Sequence, residues 1–560
     1  MHLSFANYSD LSFSKLFCDF TSAVEPAASL YAYAHKEQAL REKLHTYRYH
    51  GNREQLYMLL KRFNSPFPLH ERALHNLELL RRNDTVTITT GQQTSLLGGP
   101  LYTVFKTIGL IHMARRLTEQ TGKPVVPVFW LADEDHDIEE ISGLQIPGQS
   151  GIERIIMHYS GPAKAAGALT LSHSFEVFFD KVTRSLPDTE FHEPLCTLLQ
   201  ACYHRGATVR DGFGRLMAKL FSHHGLVLCG SYNREIKRYT APVFETALTM
   251  APSIQENLQE RTLNVADTYH QQAHIQNSLL FWHHPEKGRL RLSYREGIWY
   301  CAGERAGTPQ ELFSALSDQP ERFSPNVFLR PLVQDYLLPN VAYMGGPAEI
   351  AYYGQMKGLY RLFGLQSPFL ASRFSATLVE PPIERLLKEF SFGMHAYSKR
   401  AEELEQEYLR QTTAPELDLT FETWKQQIET LHTEMMQQLS PDNPGLSKHG
   451  EAMTREYIRS LDRFRKKLFQ EQRKREEIQL ARLTRIREGL FPGQQLQERS
   501  VAFIYYMAKY GTDLWDRTLE LLDQNDSPLF TRHTFIGINA SLTEPSSAAP
   551  APAHNLSALS

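Results

Sequence analysis

Residues 84–132, Asp84-DTVTITTGQQTSLLGGPLYTVFKTIGLIHMARRLTEQTGKPVVPVFWLA-Ala132, decide the fold. Asp84 to Thr90 alternates and is rich in β-branched residues, which predicts a strand. A Gly-rich turn, GQQTSLLGGP, follows. Pro100 suits the first turn of a helix, where its missing N–H would have no partner anyway. Val104, Phe105, Ile108 and Ile111 then give that helix one apolar stripe. After Gly122, VVPVFWLA is a continuous apolar run of the kind buried on both faces of a parallel sheet. Strand, turn, helix and buried strand make a βαβ unit, so the expected class is α/β with a Rossmann-like parallel sheet.

Outward from this unit, residues 1 to about 82 read as helical. Ile152–Tyr159, Leu226–Cys229, Leu279–His283 and Leu290–Tyr294 read as strands, and Val209–His223, Leu332–Leu338 and Ala348–Phe363 as helices. From Pro381 the texture changes. Ile383, Leu387, Phe390, Met394, Tyr397, Ala401, Leu404 and Tyr408 step by four and three, a heptad seam. Phe421, Trp424, Ile428, Leu431 and Met435 repeat it, and Met453, Tyr457, Leu461, Phe464 and Leu468 carry it on after PDNPG. The first two stretches are acid-rich and the third base-rich, so an antiparallel hairpin would join opposite charges. The expected division is a core with inserted segments over 1–380, a coiled-coil arm over 381–489, and a return to the core over 490–540. A Ser/Ala/Pro tail over 541–560 is expected to be disordered.

The formal charge of -3 argues against a protein devoted to nucleic acid or an anionic membrane. Five cysteines with no C-x-x-C pair argue against a disulfide framework. The N-terminus lacks a signal peptide's pattern, and no apolar run reaches the roughly 18 residues of a membrane span. The expectation is a cytoplasmic protein.

Three segments could carry chemistry. Gly91-Gln92-Gln93 and Gly98-Gly99-Pro100-Leu101-Tyr102 sit between strand and helix, where backbone N–H groups and the helix N-terminus favour an anion, with Lys106 in the second turn. The turn is neither G-x-G-x-x-G nor a Walker loop, and its glycines equally suit a tight turn. Asp133-Glu134-Asp135-His136-Asp137 follows VVPVFWLA at the ligand-binding end of a parallel sheet. Such acids are commonly just solvated charge. Here they could hold an ammonium group or magnesium, and His136 could accept a proton from an attacking amine. No second His or Cys falls at zinc-ligand spacing, so no metal site is assigned. In the third segment, Arg330 to Tyr360, Gly345-Gly346-Pro347 opens a helix, and Gln334, Asp335 and Glu349 are polar among apolar neighbours. They are either buried and hydrogen-bonded or turned to a pocket.

Together TGQQTSLLGGPLYTVFK, VPVFWLADEDHDIEEI, SPNVFLRPLVQDYLLPNVAYMGGPAEIAYYGQ, SRFSATLVE and LQERSVAFIYYMAKYG resemble the BshC family, in order and over nearly the whole chain. Thr94-Ser95 and Asp133 depart from the family's text, where a glycine-containing pair and a small or neutral residue are expected. The resemblance implies a Rossmann core with inserted connecting segments and a coiled coil that pairs two subunits. It also implies a ligase joining the carboxyl group of cysteine to the amine of glucosaminyl malate, the last step of bacillithiol synthesis. A carboxylate needs activation to form an amide, so ATP with Mg2+ is implied, through an acyl phosphate or an acyl adenylate. Catalysis then falls to Asp135, His136 and Asp137. Substrate binding falls to Gly91, Gln92, Gln93, Gly98, Gly99, Tyr102, Lys106, Gln334, Asp335, Gly345, Gly346 and Glu349. The alternatives are an ATP-dependent ligase with another amine acceptor, a nucleotide-binding Rossmann protein, and a coiled-coil scaffold without ligase activity.

Overall fold

The computed structural model describes residues 1–134, 138–148, 151–159, 161, 164–273, 278–284, 287–412, 416–439, 444–525 and 529–538. The chain forms two compact units, Met1–Leu378 with Gln497–Ser560, and Val379–Leu496.

The first unit is built on a parallel sheet. Its strands are β1 (Val86–Gln93), β2 (Val125–Ala132), β3 (Val227–Gly230), β4 (Asn340–Gly345) and β5 (Phe369–Ser372). They lie in the order β3-β2-β1-β4-β5. β1 and β2 pair from Val86 with Val125 to Gln93 with Ala132, with no slip. The chain steps outward through β2 and β3, then returns to the other side of β1 with β4 and β5. That reversal makes the gap between the carboxyl ends of β1 and β4 the topological switch point, where open α/β sheets place ligands. Helix α1 (Leu101–Thr121) packs on β1 and β2 and is buried over most of its first four turns. Helix α2 (Leu329–Leu337) leads into β4, and α3 (Pro347–Gly354) follows it.

An antiparallel sheet of Leu280–His284, Gly288–Arg295, Ile298–Cys301, Glu304–Gly307 and Phe323–Pro325 is inserted between β3 and α2. The expected strands at 152, 226, 279 and 290 are present with slightly shifted ends. The helix expected over Ala348–Phe363 is split into α3 and Leu359–Leu362. The N-terminal expectation needs correction. His2–Asn7 is a strand, antiparallel to Arg532–Gly537, which also pairs with Ala376–Val379. Its partner lies some five hundred residues away, so nothing local announces it. All five cysteines are free. No described helix is long and apolar enough to cross a membrane.

The second unit is helical. The seam expected to run unbroken from Ile383 to Tyr408 is interrupted. A helix over Pro381–Leu387, a 3-10 turn over Met394–Ser398 and a helix over Ala401–Thr412 replace it. Gly393, an extended residue ahead of the 3-10 turn, stands at the break, and glycine is a poor helix former. Helices α4 (Glu416–Leu439) and α5 (Pro444–Arg475) form the hairpin. Phe421 stacks near Phe464, Lys425 pairs with Asp462 at 2.9 Å, and Met436 lies beside Gly450. The partner number falls as the residue number rises, so the helices are antiparallel. Glu422 meets Arg465 at 3.8 Å and Glu405 meets Arg473 at 2.9 Å, the acid-to-base pairing that the charge bias predicts.

Candidate active site

A cavity of about 750 Å³ opens at the carboxyl ends of β1, β2 and β4. Gly91, Gln92 and Gln93 reach it from the end of β1. Trp130, Ala132 and Glu134 reach it from β2 and just beyond, every second residue, as strand alternation requires. Tyr343 comes from β4, Gly346 and Glu349 from the start of α3, Arg330 from α2, and Arg373 from just after β5. The inserted antiparallel sheet contributes Phe281 and Arg289. β1 and β2 approach closely here: a Cβ on Gly91 would lie 3.2 Å from the Trp130 carbonyl oxygen.

Lys106 is buried and donates to the Gly91 carbonyl at 2.9 Å, to Gln92 Oε1 at 3.2 Å and to Glu349 Oε2 at 2.6 Å. Gln92 Nε2 in turn donates to the Tyr102 hydroxyl at 3.2 Å. Glu349 also accepts from the Gly346 N–H at 2.7 Å and from the Tyr343 hydroxyl. Burial pushes the Glu349 carboxyl up, but Lys106, Tyr343 and the Gly346 N–H outweigh it and hold the group below its ordinary range. This acid is therefore ionised and fully engaged.

Arg330 is different. Its guanidinium donates to Gln334 Oε1 at 3.1 Å, Tyr352 Oη at 3.0 Å and Tyr343 Oη at 3.4 Å, all neutral acceptors. Among the described residues no carboxylate lies within ion-pair distance of it. A guanidinium keeps its charge in any protein environment, so the cavity wall carries a half-buried cation with no acid partner among the described residues. Arg373, by contrast, is neutralised by the buried Glu498, which takes both of its terminal nitrogens.

Two descriptions of one family match the chain in succession. Residues 1–374 match "Bacillithiol biosynthesis BshC, N-terminal Rossmann-like domain", and residues 376–534 match the C-terminal coiled-coil domain of the same family. The chain belongs to the BshC family. It is 33% identical to a protein of Symbiobacterium thermophilum over 84% of this chain and 88% of the relative. It is 32% identical to one of Chlorobaculum tepidum over 90% and 93% of the two chains. A third, from Koribacter versatilis, is 31% identical over 90% and 95%. Each bears the name "Putative cysteine ligase BshC".

The BshC cavity gathers Gly91, Gln92, Gln93, Tyr102, Lys106, Gly346 and Glu349 from the residues singled out in the sequence. Gln334 and Asp335 lie behind it. Gln334 donates to Thr89 and Asp335, and Asp335 accepts from Asn340 at 2.7 Å and Tyr360 at 2.7 Å. Burial pushes the Asp335 carboxyl up to about 6. Gly345 ends β4 without lining the cavity. Asp135, His136 and Asp137 lie outside the described residues. Asp133 is wholly buried beneath the wall and caps the end of β3, its Oδ1 accepting from the N–H groups of Ser231 and Tyr232. Burial pushes its carboxyl up to about 7.

Gly98 and Gly99 are not in the cavity wall. Gly98 has a φ of +86°, and a Cβ there would sit 2.2 Å from the Phe503 ring. Its N–H donates to Tyr203, whose hydroxyl donates to the Ser95 carbonyl. The glycines therefore serve the turn and its packing and stand outside the cavity that Gly91 and Gly346 line. Gly98→Val is accordingly expected to cost about 2–5 kcal/mol of stability through backbone strain and overpacking. Ligand affinity of the remaining folded protein should not change. A melting curve and a binding isotherm on one sample check both halves.

The sequence reading missed Arg330, Arg373, Trp130 and Tyr352 as cavity residues. Arg330 heads the RPLVQDY segment and Arg373 lies in SRFSATLVE, so each stood inside text already singled out. An arginine in a helix or after a strand gives no local sign that it is buried.

Proposed function

We propose that this chain is a cysteine ligase that joins the carboxyl group of cysteine to the amine of glucosaminyl malate, completing bacillithiol. The observation that carries the reading is Arg330, a half-buried cation without an acid partner among the described residues, in a switch-point cavity of a BshC-family Rossmann core. A charge left like this is stabilised by an anionic ligand, and malate carboxylates, the cysteine carboxylate and a nucleotide phosphate all qualify. The relatives' shared name supports the reaction class.

The proposed chemistry has two stages. The cysteine carboxylate oxygen first attacks ATP, supplied with Mg2+, either at the γ-phosphorus, giving an acyl phosphate and releasing ADP, or at the α-phosphorus, giving an acyl adenylate and releasing pyrophosphate. The neutral amine of the acceptor then attacks that carbonyl, the C–N bond forms, phosphate or AMP leaves, and the amine gives up a proton. His136 is the proposed proton acceptor, with Asp135 and Asp137 orienting it. Among the described acids of the cavity, Glu349 has both oxygens engaged, and Glu134 is paired with Lys237 through Oε1 alone. No step is assigned to the metal. A cell lacking this gene is expected to lose bacillithiol and accumulate glucosaminyl malate. Persistence of bacillithiol would overturn the assignment.

The same reading makes the protein cytoplasmic and a homodimer through its hairpin. Large apolar side chains of α4 and α5 stand in water in the single chain, Leu431 at 64%, Tyr457 at 60% and Trp424 at 41% exposure. Two-fold pairing covers one such face with another. Sedimentation should give a dimer at micromolar concentration. Charge reversal at Arg463, Lys466 and Lys467 should weaken it more at low salt than at high salt. A monomeric intact protein would contradict the pairing.

A further inference from the structure

Glu134 is 6% exposed and stands in the cavity wall just past β2, on the face that Trp130 and Ala132 share. Lys237, 1% exposed, lies 2.5 Å from its Oε1 and also donates to the Phe323 carbonyl. Lys237 itself does not line the cavity. The lysine thus holds one carboxylate oxygen from behind. Neither oxygen has a hydrogen bond among the described residues, and the other, Oε2, has no ion pair either.

A carboxylate has about four acceptor sites, and leaving a buried oxygen unmatched is costly. What matches it must be a donor, and a cationic donor matches it best. The other described acid of the wall, Glu349, has both oxygens occupied. Among the described residues the cavity is therefore bipolar: Arg330 carries an unmatched positive charge, and Glu134 an unmatched acceptor.

We propose that Glu134, held by Lys237, binds the primary ammonium group of a substrate through Oε2. The identity of that substrate rests on the cysteine-ligase reading, under which both cysteine and glucosaminyl malate carry such a group. Glu134 is then a specificity residue that touches substrate, and Lys237 is a positioning residue acting through it.

The test compares two pairs of ligands by calorimetry on the full chain. One pair is glucosaminyl malate and glucosyl malate, which has a hydroxyl in place of the amine. The other is cysteine and 3-mercaptopropionate, which lacks the amine. The wild type should prefer the amine-bearing member of one pair by roughly tenfold or more. Glu134→Gln should bring that pair to near parity, and Glu134→Asp should restore part of the preference. Because Glu134→Gln leaves Lys237 buried without an acid, the double variant Glu134→Gln/Lys237→Met is measured beside it and should show the same parity. The pair affected identifies the substrate. A wild-type preference retained in the Gln variants, or a wild type that binds both members of each pair equally, would overturn the proposal. A wild type that binds none of the four ligands would instead overturn the cysteine-ligase reading itself.

Discussion

Arg330→Met should weaken binding of the anionic substrate by about 2–5 kcal/mol, roughly 30-fold to several thousand-fold. The size follows from partial burial in the cavity wall: a guanidinium whose described partners are Gln334 and two tyrosine hydroxyls meets its full charge partner when a ligand arrives. The same fact predicts the opposite sign for stability. Without ligand, the wild type carries a half-buried charge that no described acid compensates, and methionine removes it while keeping the side chain's bulk. The variant's Tm should therefore stay level or rise as its affinity collapses. Arg330→Lys should recover little, because a point charge does not reproduce the planar fork. Calorimetry with glucosaminyl malate, cysteine and ATP in turn identifies which anion Arg330 receives. Unchanged affinity for all three, with a Tm several degrees lower, would make Arg330 a structural residue.

Glu498→Ala should cost about 3–5 kcal/mol of stability, the loss expected when one member of a buried ion pair is removed. Glu498 takes both terminal nitrogens of Arg373, the Ser375 hydroxyl at 2.9 Å and the Ala376 N–H at 3.2 Å. Gln497 beside it clasps the backbone of Leu378 in both directions. These bonds tie the segment after β5 to the returning chain, and they fix Arg373 in the cavity wall. The first thermal transition should fall by about 3–6 °C. Arg373→Met/Glu498→Met, which removes both charges, should recover most of that loss. If Glu498→Ala melts within a degree or two of the wild type, the pair contributes nothing net.

The parallel core was legible because its signals are local. β1 and β2 differ in character, one rich in threonine and the other wholly apolar. Both are long enough for their pattern to show, and the Gly-rich turn and Pro100 mark the helix between them. The hairpin register was legible through charge: acids on one stretch and bases on the other leave few alternatives. What failed depends on distant partners. His2–Asn7 is six residues whose strand partner among the described residues is Arg532–Gly537, some five hundred residues away. The seam before Tyr408 has heptad spacing, yet spacing records where apolar residues fall and not whether Gly393 breaks the helix between them. At the site, glycines and acids were found because they are conspicuous in sequence. Gly98 was conspicuous for its positive φ and its packing against Phe503 rather than for a ligand. Arg330 and the Glu134–Lys237 pair gain meaning only from burial, which no spacing announces.

The most direct test of the ligase account is a reaction with purified protein, 13C-labelled cysteine, glucosaminyl malate, ATP and Mg2+, followed by mass spectrometry. The account predicts labelled bacillithiol, with one ADP or one AMP formed per amide bond and no product when either cysteine or nucleotide is left out. Protein that binds cysteine and glucosaminyl malate yet forms no labelled amide with ATP present would contradict it.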